Sequence, residues 1–328
     1  MRQDVLAIGN AICDILVRID EDVIGEFKLE KGAMQLVSDL EVNNLLKFLK
    51  ERKYDFFLKG GGSVANSIYY LSKYNLNNGF VGNLGGDIYA KHFLNEFCDL
   101  NIEFFNNSEI DSNKTAKSII LVTKDGERTM CTSLGTAADI SFQIIDQEKL
   151  LNYKYLLIEG YLWDTQKTRE EIFDFSRKLK KQKIVLTLSD RFCVKRNKEL
   201  FLKFINHKVN IIFGNEGEII ELYGYDYFHL DTAKKIQNNM GSLEIIIVTQ
   251  NKNGCTIITK EEIINVKTEV KQALDSTGAG DSFLGGFLYG LVKGFSLEKS
   301  ANIANFIAGK VVTELGARVG VSLPKLNL

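Results

Sequence analysis

The sequence predicts an α/β protein whose central sheet is mostly parallel. From Tyr153 onward, short apolar runs alternate with longer amphipathic segments, a pattern typical of parallel strands joined by crossover helices. Near the amino terminus, the apolar run at residues 5–9 has the same strand-like character and ends in glycine. The predicted strands lie at residues 155–158, 183–188 and 209–213, and the predicted helices between them at residues 168–181 and 195–205.

Composition excludes several classes of function. The 328 residues carry a formal net charge of −1, which gives no electrostatic footprint for nucleic acid or for an anionic membrane. No apolar run approaches the roughly 20 residues that span a bilayer, and the run at residues 5–8 is too short for a signal peptide. Five scattered cysteines without a Cys-x-x-Cys pair indicate reduced thiols. We therefore expect a cytoplasmic protein with no membrane or nucleic-acid partner.

A second group of strands interrupts the amino-terminal half. Residues 13–19 alternate in the manner of an exposed edge strand, and residues 33–37 read as another strand. Residues 115–123 and 128–132 flank Asp125-Gly126, a strong hairpin signal. These runs predict a small separate sheet, with insertions at about residues 12–37 and 114–134.

The most informative stretch is Asp275-Ser276-Thr277-Gly278-Ala279-Gly280-Asp281, which runs into an apolar helix. A glycine-rich turn before a helix offers unpaired N–H groups and the positive end of the helix dipole to an anion. Asp281 would hold a carboxylate beside that anion, and this is what phosphoryl transfer to a hydroxyl needs. The alternative is a structural one, in which Asp281 only caps the helix.

Two further motifs lie at predicted helix starts. Lys59-Gly60-Gly61-Gly62-Ser63 opens a helix but lacks the Gly-Lys-Ser/Thr ending of a P-loop; the structural alternative is that its glycines only allow close helix–strand packing. Asn215 and Glu218 are three residues apart and therefore share one helical face; alone, they are equally compatible with a capping box.

Together these motifs resemble the signatures of the PfkB (ribokinase-like) family of carbohydrate and nucleoside kinases. The likeness covers residues 60–87, the Asn215-x-x-Glu218 motif and residues 275–287, and it spans nearly the whole chain. It implies one ribokinase-like domain over residues 1–328, a three-layer α/β/α structure with a mostly parallel sheet and a small β-strand lid. It also implies ATP as phosphoryl donor, Mg2+ as cofactor and a sugar or nucleoside as acceptor.

The resemblance assigns roles residue by residue. Asp281 would be the general base, and the backbone N–H groups of Gly278, Ala279 and Gly280 would hold the transferring phosphoryl group. The implied acceptor-binding residues are Asn10, Asp14, Met34, Leu36, Gly61, Gly62, Ser63, Asn66, Arg128 and Tyr161. The implied ATP-binding residues are Asn215, Thr249, Gln250, Gly278, Gly280 and Asn305. Asn215 and Glu218 would hold Mg2+ through water, and Asp275 and Thr277 a monovalent cation such as K+.

Two of these assignments have structural alternatives. Met34 and Leu36 would share one face of a lid strand, where they could pack on the acceptor or on the main domain. Arg128 could reach over the site or remain a solvated hairpin charge.

The acceptor most consistent with the resemblance is adenosine. The stretches at residues 9–14, 30–36 and 159–164 look most like the adenosine-kinase-like branch, which acts in purine salvage. Met34, Leu36, Tyr161 and Leu162 would give the apolar walls that a purine needs. A ribokinase- or fructokinase-like sugar kinase is the alternative, and a binding protein that lost the chemistry is a third. Both a monomer and a lid-mediated homodimer are compatible with the sequence.

Overall fold

The computed structural model describes residues 3–106, 114–142, 145–269 and 271–319. Its larger sheet has nine strands in the order β14-β13-β12-β11-β10-β9-β1-β5-β6. The strands from β12 to β6 are parallel to their neighbours, and only β13 and β14 are antiparallel additions. They are β1 (Gln3–Ile8), β5 (Gly79–Val81), β6 (Glu103–Phe105), β9 (Tyr153–Glu159), β10 (Lys183–Thr187), β11 (Ile211–Asn215), β12 (Ile245–Thr249), β13 (Cys255–Ile258) and β14 (Ile263–Val266).

Helices cover both faces of this sheet. The described helices are α1 (Asp22–Glu26), α2 (Asp39–Glu51), α3 (Ser63–Ser72), α4 (Ile88–Cys98), α5 (Gln147–Leu150), α6 (Gln166–Arg177), α7 (Arg191–Lys208), α8 (Glu216–Tyr223), α9 (Leu230–Asn238), α10 (Ala279–Val292) and α11 (Leu297–Val311). In β1, Val5 and Ala7 pack into the core beneath α3, α4, α10 and α11, whereas Leu6 and Ile8 pack into the core beneath α6–α9. This alternation of side chains between two cores confirms the predicted three-layer α/β/α fold. None of the described helices is long and apolar enough to cross a membrane.

The smaller sheet has five strands in the order β3-β8-β7-β2-β4. They are β2 (Ile12–Arg18), β3 (Met34–Leu36), β4 (Phe57–Gly61), β7 (Ala116–Val122) and β8 (Arg128–Ser133). One face of this sheet packs on α2 through a separate apolar cluster that includes Ile15, Val17, Ile119 and Leu121.

Two details of this smaller sheet differ from the sequence prediction. Residues 13–19 are not an edge strand, because β2 lies between β4 and β7. Buried and less buried residues alternate along β2 because every second side chain packs into the apolar cluster beneath α2. This alternation does not show whether a strand lies at the edge or in the middle of a sheet. The glycine run also begins inside a strand, since Gly60 and Gly61 belong to β4 and pair with Cys13 and Ile12.

Candidate active site

The candidate site lies at the carboxyl ends of the parallel strands, where open α/β sheets bind ligands. Asn10 follows β1, and Glu159, Asn215 and Thr249 end β9, β11 and β12. Two helices, α3 and α10, begin at the same edge and pack against each other. The predicted motifs at their amino termini therefore meet in space.

Asp281 lies in the first turn of α10 and joins these two motifs. Its Oδ1 accepts a hydrogen bond from Ser63 Oγ at 2.7 Å, and its Oδ2 accepts one from Asn66 Nδ2 at 2.9 Å. Burial raises the pKa of Asp281 to about 6, against the opposing effects of these two hydrogen bonds and of the positive charge of Arg318. The helix itself is capped at Gly278 without a side-chain hydrogen bond. The structural alternative, in which Asp281 is the cap, is therefore wrong.

The turn before α10 is built on close backbone packing. Gly278 has a left-handed φ of 74°, and a Cβ there would lie 2.7 Å from Ala317 Cα. The Ala279 N–H donates to the Ser276 carbonyl at 3.2 Å, so that group is already engaged. Gly280 is exposed at the surface of the turn.

Arg128 crosses from the smaller sheet to this turn. Its guanidinium forms an ion pair with the Asp275 carboxylate and a hydrogen bond with Thr277 Oγ1. The same carboxylate accepts the Thr277 N–H at 2.8 Å and the Gly316 N–H at 2.6 Å. Arg128 is thus not a solvated hairpin charge. Asp275 and Thr277, which were predicted to hold a monovalent cation, are in contact with each other. The Arg128 guanidinium already neutralises the Asp275 carboxylate.

Asp14 lies on the face of the smaller sheet that bears the acceptor-binding candidates. A Cβ on Gly61 would lie 2.5 Å from the Asp14 carboxyl carbon, so only glycine leaves room for this carboxylate. Burial raises the pKa of Asp14 to about 7; the charge of Arg318 lowers it, and the charge of Asp281 raises it further. The two carboxylates therefore repel each other electrostatically.

An apolar row lies beside Asp14. Directly paired residues of a sheet share a face, so the register aligns Asp14 with Ser118, Thr132 and Leu36. The same register aligns the adjacent row Leu16, Ile120, Met130 and Met34. Met34 and Leu36 remain 39% and 54% exposed. This face thus combines one carboxylate with exposed apolar side chains.

Asn10 is held beneath the site by a buried carboxylate. Its Nδ2 donates to Glu159 Oε1 at 2.7 Å, while Glu159 Oε2 accepts the Val64 N–H at 3.2 Å. Burial raises the pKa of Glu159 to about 7. Gly62 has a φ of 92°, and a Cβ there would lie 2.1 Å from the Asn10 carbonyl oxygen. Sequence reasoning gave Glu159 no role, although its position at a strand end was a usable signal.

Asn215 and Glu218 form a complete capping box at the start of α8. The Asn215 N–H and Nδ2 donate to the two oxygens of Glu218, and Asn215 Oδ1 accepts the Glu218 N–H. Burial raises the pKa of Glu218 to about 7, helped by the charges of Asp190 and Asp281. The described residues contain no group of three or more His, Cys, Asp or Glu that could hold a metal. Both Glu218 oxygens already accept hydrogen bonds from Asn215, which suits contact with the water shell of a Mg2+ ion.

The remaining candidates lie around the same edge. Thr249 pairs with Asn215 across β11 and β12, and Gln250 Nε2 donates to Glu216 Oε1 at 2.8 Å. Asn305, on α11, donates to the Lys267 carbonyl at 3.3 Å. In the turn after β9, burial and the Asp190 carboxylate raise the pKa of Tyr161 well above its usual value.

The structure adds Arg318, which lies directly behind the α3 motif. It is 2% exposed and its Nε donates to Asn66 Oδ1 at 2.9 Å. A terminal nitrogen donates to the Gly61 carbonyl at 3.1 Å. No local sequence pattern indicates this role, because Arg318 follows a glycine turn and belongs to no periodic segment.

The site thus has a half-buried carboxylate at Asp281, a glycine turn at a helix start and an arginine that reaches this turn from the smaller sheet. These are the parts of an α/β phosphotransferase, in which catalysis is mainly positioning and charge stabilisation.

The chain belongs to the pfkB family of carbohydrate kinases, whose family model matches residues 44–325. The solved structure of a probable sugar kinase protein from Rhizobium etli CFN 42 is 31% identical, with a TM-score of 0.87 and coverage of 98% of this chain and 96% of that one. The structure of an adenosine kinase from Sinorhizobium meliloti is 30% identical, with a TM-score of 0.86 and coverage of 98% and 97%. An uncharacterized sugar kinase from Archaeoglobus fulgidus is 27% identical over 261 residues, 76% of this chain and 97% of its own length.

These findings confirm the family and the ribokinase-like fold predicted from the motifs. The protein is an ATP-dependent phosphotransferase that acts on hydroxyl groups.

Proposed function

We propose that the protein transfers the γ-phosphoryl group of ATP to a primary hydroxyl of a nucleoside, namely the 5′-OH of adenosine, giving AMP. The observation that carries this proposal is the face of the smaller sheet, where Asp14 lies in register with Leu36 and beside the row that ends in Met34. A carboxylate suits the paired hydroxyls of a ribose, and adjacent apolar side chains suit a purine ring. The similarity to an adenosine kinase at 30% identity supports the same choice.

Asp281 is the proposed general base. With its pKa raised to about 6 by burial, its carboxylate is mostly ionised near pH 7 and is a better proton acceptor than an ordinary aspartate. Hydrogen bonds from Ser63 and Asn66 hold both of its oxygens. These contacts would aim the carboxylate at the acceptor hydroxyl.

The phosphates of ATP are assigned to the turn before α10. The N–H groups of Gly278 and Gly280 and the helix dipole favour negative charge there, and Arg128 reaches the same turn through Thr277. Ala279 would contribute its N–H only after leaving the Ser276 carbonyl. Bound Mg2+ would neutralise the phosphate charges, held at Asn215 and Glu218 through water. Thr249, Gln250 and Asn305 are assigned to the nucleotide.

The domain arrangement proposed is a single kinase domain whose smaller sheet closes over the acceptor as a lid. A cytoplasmic location is part of this proposal. Light scattering on the purified protein would distinguish a monomer from a homodimer formed through the lids.

The test of the proposed acceptor is a panel of nucleosides, ribose and fructose, assayed with ATP and Mg2+ by release of ADP. We expect kcat/KM to be highest for adenosine, and Leu36→Ser to lower it for adenosine but not for ribose. Glu298→Gln, at the exposed start of α11, is the control for effects of substitution and purification that do not involve the site. Higher kcat/KM for a sugar would favour the sugar-kinase alternative. Binding without turnover of any member of the panel would favour a binding protein.

A further inference from the structure

Arg318 is a buried cation enclosed by aromatic rings. Its guanidinium carbon lies 5.1 Å from the ring centre of Phe93 and 5.4 Å from those of Tyr69 and Phe97. Burying a charge is unfavourable unless it is paired and hydrogen-bonded. Arg318 must therefore be stabilised by the groups with which it forms hydrogen bonds and ion pairs.

The first partner is Asn66, and the bond fixes the orientation of its side-chain amide. Arginine has donors only, so the Asn66 oxygen must face Arg318 Nε, 2.9 Å away. The amide nitrogen of Asn66 must then face the other way, and it donates to Asp281 Oδ2 at 2.9 Å. A relay of two hydrogen bonds thus runs from Arg318 to the proposed base.

The second partner is the glycine run. A terminal nitrogen of Arg318 donates to the Gly61 carbonyl at 3.1 Å, and Gly61 lies against the carboxyl group of Asp14. The other terminal nitrogen binds Glu96 Oε2 at 2.6 Å, and Glu96 Oε1 accepts the Gly60 N–H at 3.1 Å. A Cβ on Gly60 would lie 1.9 Å from the guanidinium. Glycine at residue 60 is therefore required by Arg318.

We propose that Arg318 is a positioning residue, which acts through Asn66 on the base Asp281 and through Gly61 on the acceptor-binding Asp14. This inference rests on the proposed function, since it takes Asp281 as the general base. Arg318 reaches Asp281 through Asn66, and it is distinct from Arg128, which pairs with Asp275 in the turn before α10. Its fork-shaped guanidinium is needed because one side chain must address three partners in fixed directions.

The charge of Arg318 should affect the pKa of Asp281, whereas a side chain that only fills space at this position would not. The charge of Asp281 raises the pKa values of Asp14, Glu159 and Glu218, and the charge of Arg318 lowers the pKa of Asp281. Removing that charge should raise the pKa of Asp281. The acid limb of the kcat–pH profile should then move to higher pH.

The experiment compares Arg318→Gln and Arg318→Lys in the full-length enzyme, with Arg52→Gln as the control for a surface arginine. For Arg318→Gln we expect kcat to fall roughly 10- to 100-fold. We also expect the acid limb of the kcat–pH profile to move to higher pH by about 0.5–1 pH unit. Arg318→Lys keeps the charge but loses the fork, so kcat should fall while the acid limb stays at its wild-type pH. In the double variant with Asn66→Ala, the Arg318→Gln loss should not add to that of Asn66→Ala.

Three results would overturn the inference. They are a folded Arg318→Gln enzyme with wild-type kcat and acid limb, a wild-type kcat in Arg318→Lys, and fully additive losses in the double variant. If Arg318→Gln does not fold, the Arg318→Lys result decides. If Asp281 is not the general base, the Asp281→Asn enzyme should remain active. This result separates failure of the proposed function from failure of the inference about Arg318.

Discussion

Replacing Asp281 with asparagine removes the charge of the proposed base and the acceptor for the Asn66 amide N–H, which now donates to Asp281 Oδ2. Ser63 can still donate to the remaining carbonyl oxygen, and the helix keeps its cap at Gly278. General-base catalysis typically contributes about 10²–10⁴-fold, which corresponds to roughly 3–5.5 kcal/mol of barrier. We therefore expect kcat to fall by at least about two orders of magnitude, while ATP binding changes little.

The effect on stability should have the opposite sign. Burial raises the pKa of Asp281 from 3.8 to about 6, so at pH 8 the fold bears the burden of a buried charge. At about 1.36 kcal/mol per pKa unit, this destabilisation is about 3 kcal/mol, at least as large as the roughly 1–3 kcal/mol lost when the Asn66 amide N–H has no acceptor. Asp281→Asn should therefore melt at or above the wild-type temperature at pH 8.

The assay combines initial rates of ADP release at saturating substrates, calorimetric melting and ATP titration. Glu298→Gln is the matched control, since it neutralises an exposed acid in the first turn of the neighbouring helix. An Asp281→Asn enzyme that turns over near the wild-type rate would refute the general-base role. So would an activity loss that only follows a lower melting temperature.

Three further predictions follow from the other charged groups. Asp14→Asn should weaken acceptor binding by about 1.5–3 kcal/mol, as loss of a charged hydrogen bond does, without changing ATP affinity; equal losses for both would indicate a role in folding. Burial raises the pKa values of Asp14, Glu159 and Glu218 to about 7, so these groups bind protons more tightly in the folded protein than in the unfolded chain. Stability should then fall as pH rises through 7, and a higher melting temperature at pH 8 than at pH 6 would contradict this. Because Arg128 already neutralises the predicted cation site, K+ and Na+ should support equal wild-type rates, whereas Arg128→Met should respond to K+; a wild-type rate that rises saturably with K+ would exclude this.

The sequence predicted the fold well where local pattern decides it. The alternation after Tyr153 and the Asp125-Gly126 hairpin signal depend on side-chain period and turn chemistry, which the folded chain keeps. Two separate motifs indicated Ser63, Asn66 and Asp281 as site residues. Ser63 and Asn66 were assigned to the acceptor, however, and their hydrogen bonds to Asp281, 218 and 215 residues away, were not predicted.

Sequence pattern could not identify the buried and half-buried charged residues around the site. Arg318 and Glu96 are stable in their positions only because they meet each other and the glycine run, and such pairing has no local period. Glu159 is similar, since the hydrogen bonds that stabilise its carboxylate come from Asn10 and from the start of α3. The edge position expected for residues 13–19 was wrong for the same reason, because neighbours in a sheet are set by the whole topology.

The glycine run shows how a correct motif can carry an incomplete explanation. Gly61 and Gly62 were assigned to acceptor hydroxyls, yet each of the three glycines accommodates a different part of the protein. Gly60 makes room for the guanidinium of Arg318, Gly61 for the carboxyl group of Asp14, and Gly62 for the backbone at Asn10. Substituting any of them would therefore displace a neighbouring group before it disturbed a ligand. The run acts as the junction at which the smaller sheet, the carboxy-terminal turn and the strand-end carboxylates converge, and this convergence is what brings Asp14 and Asp281 to one site.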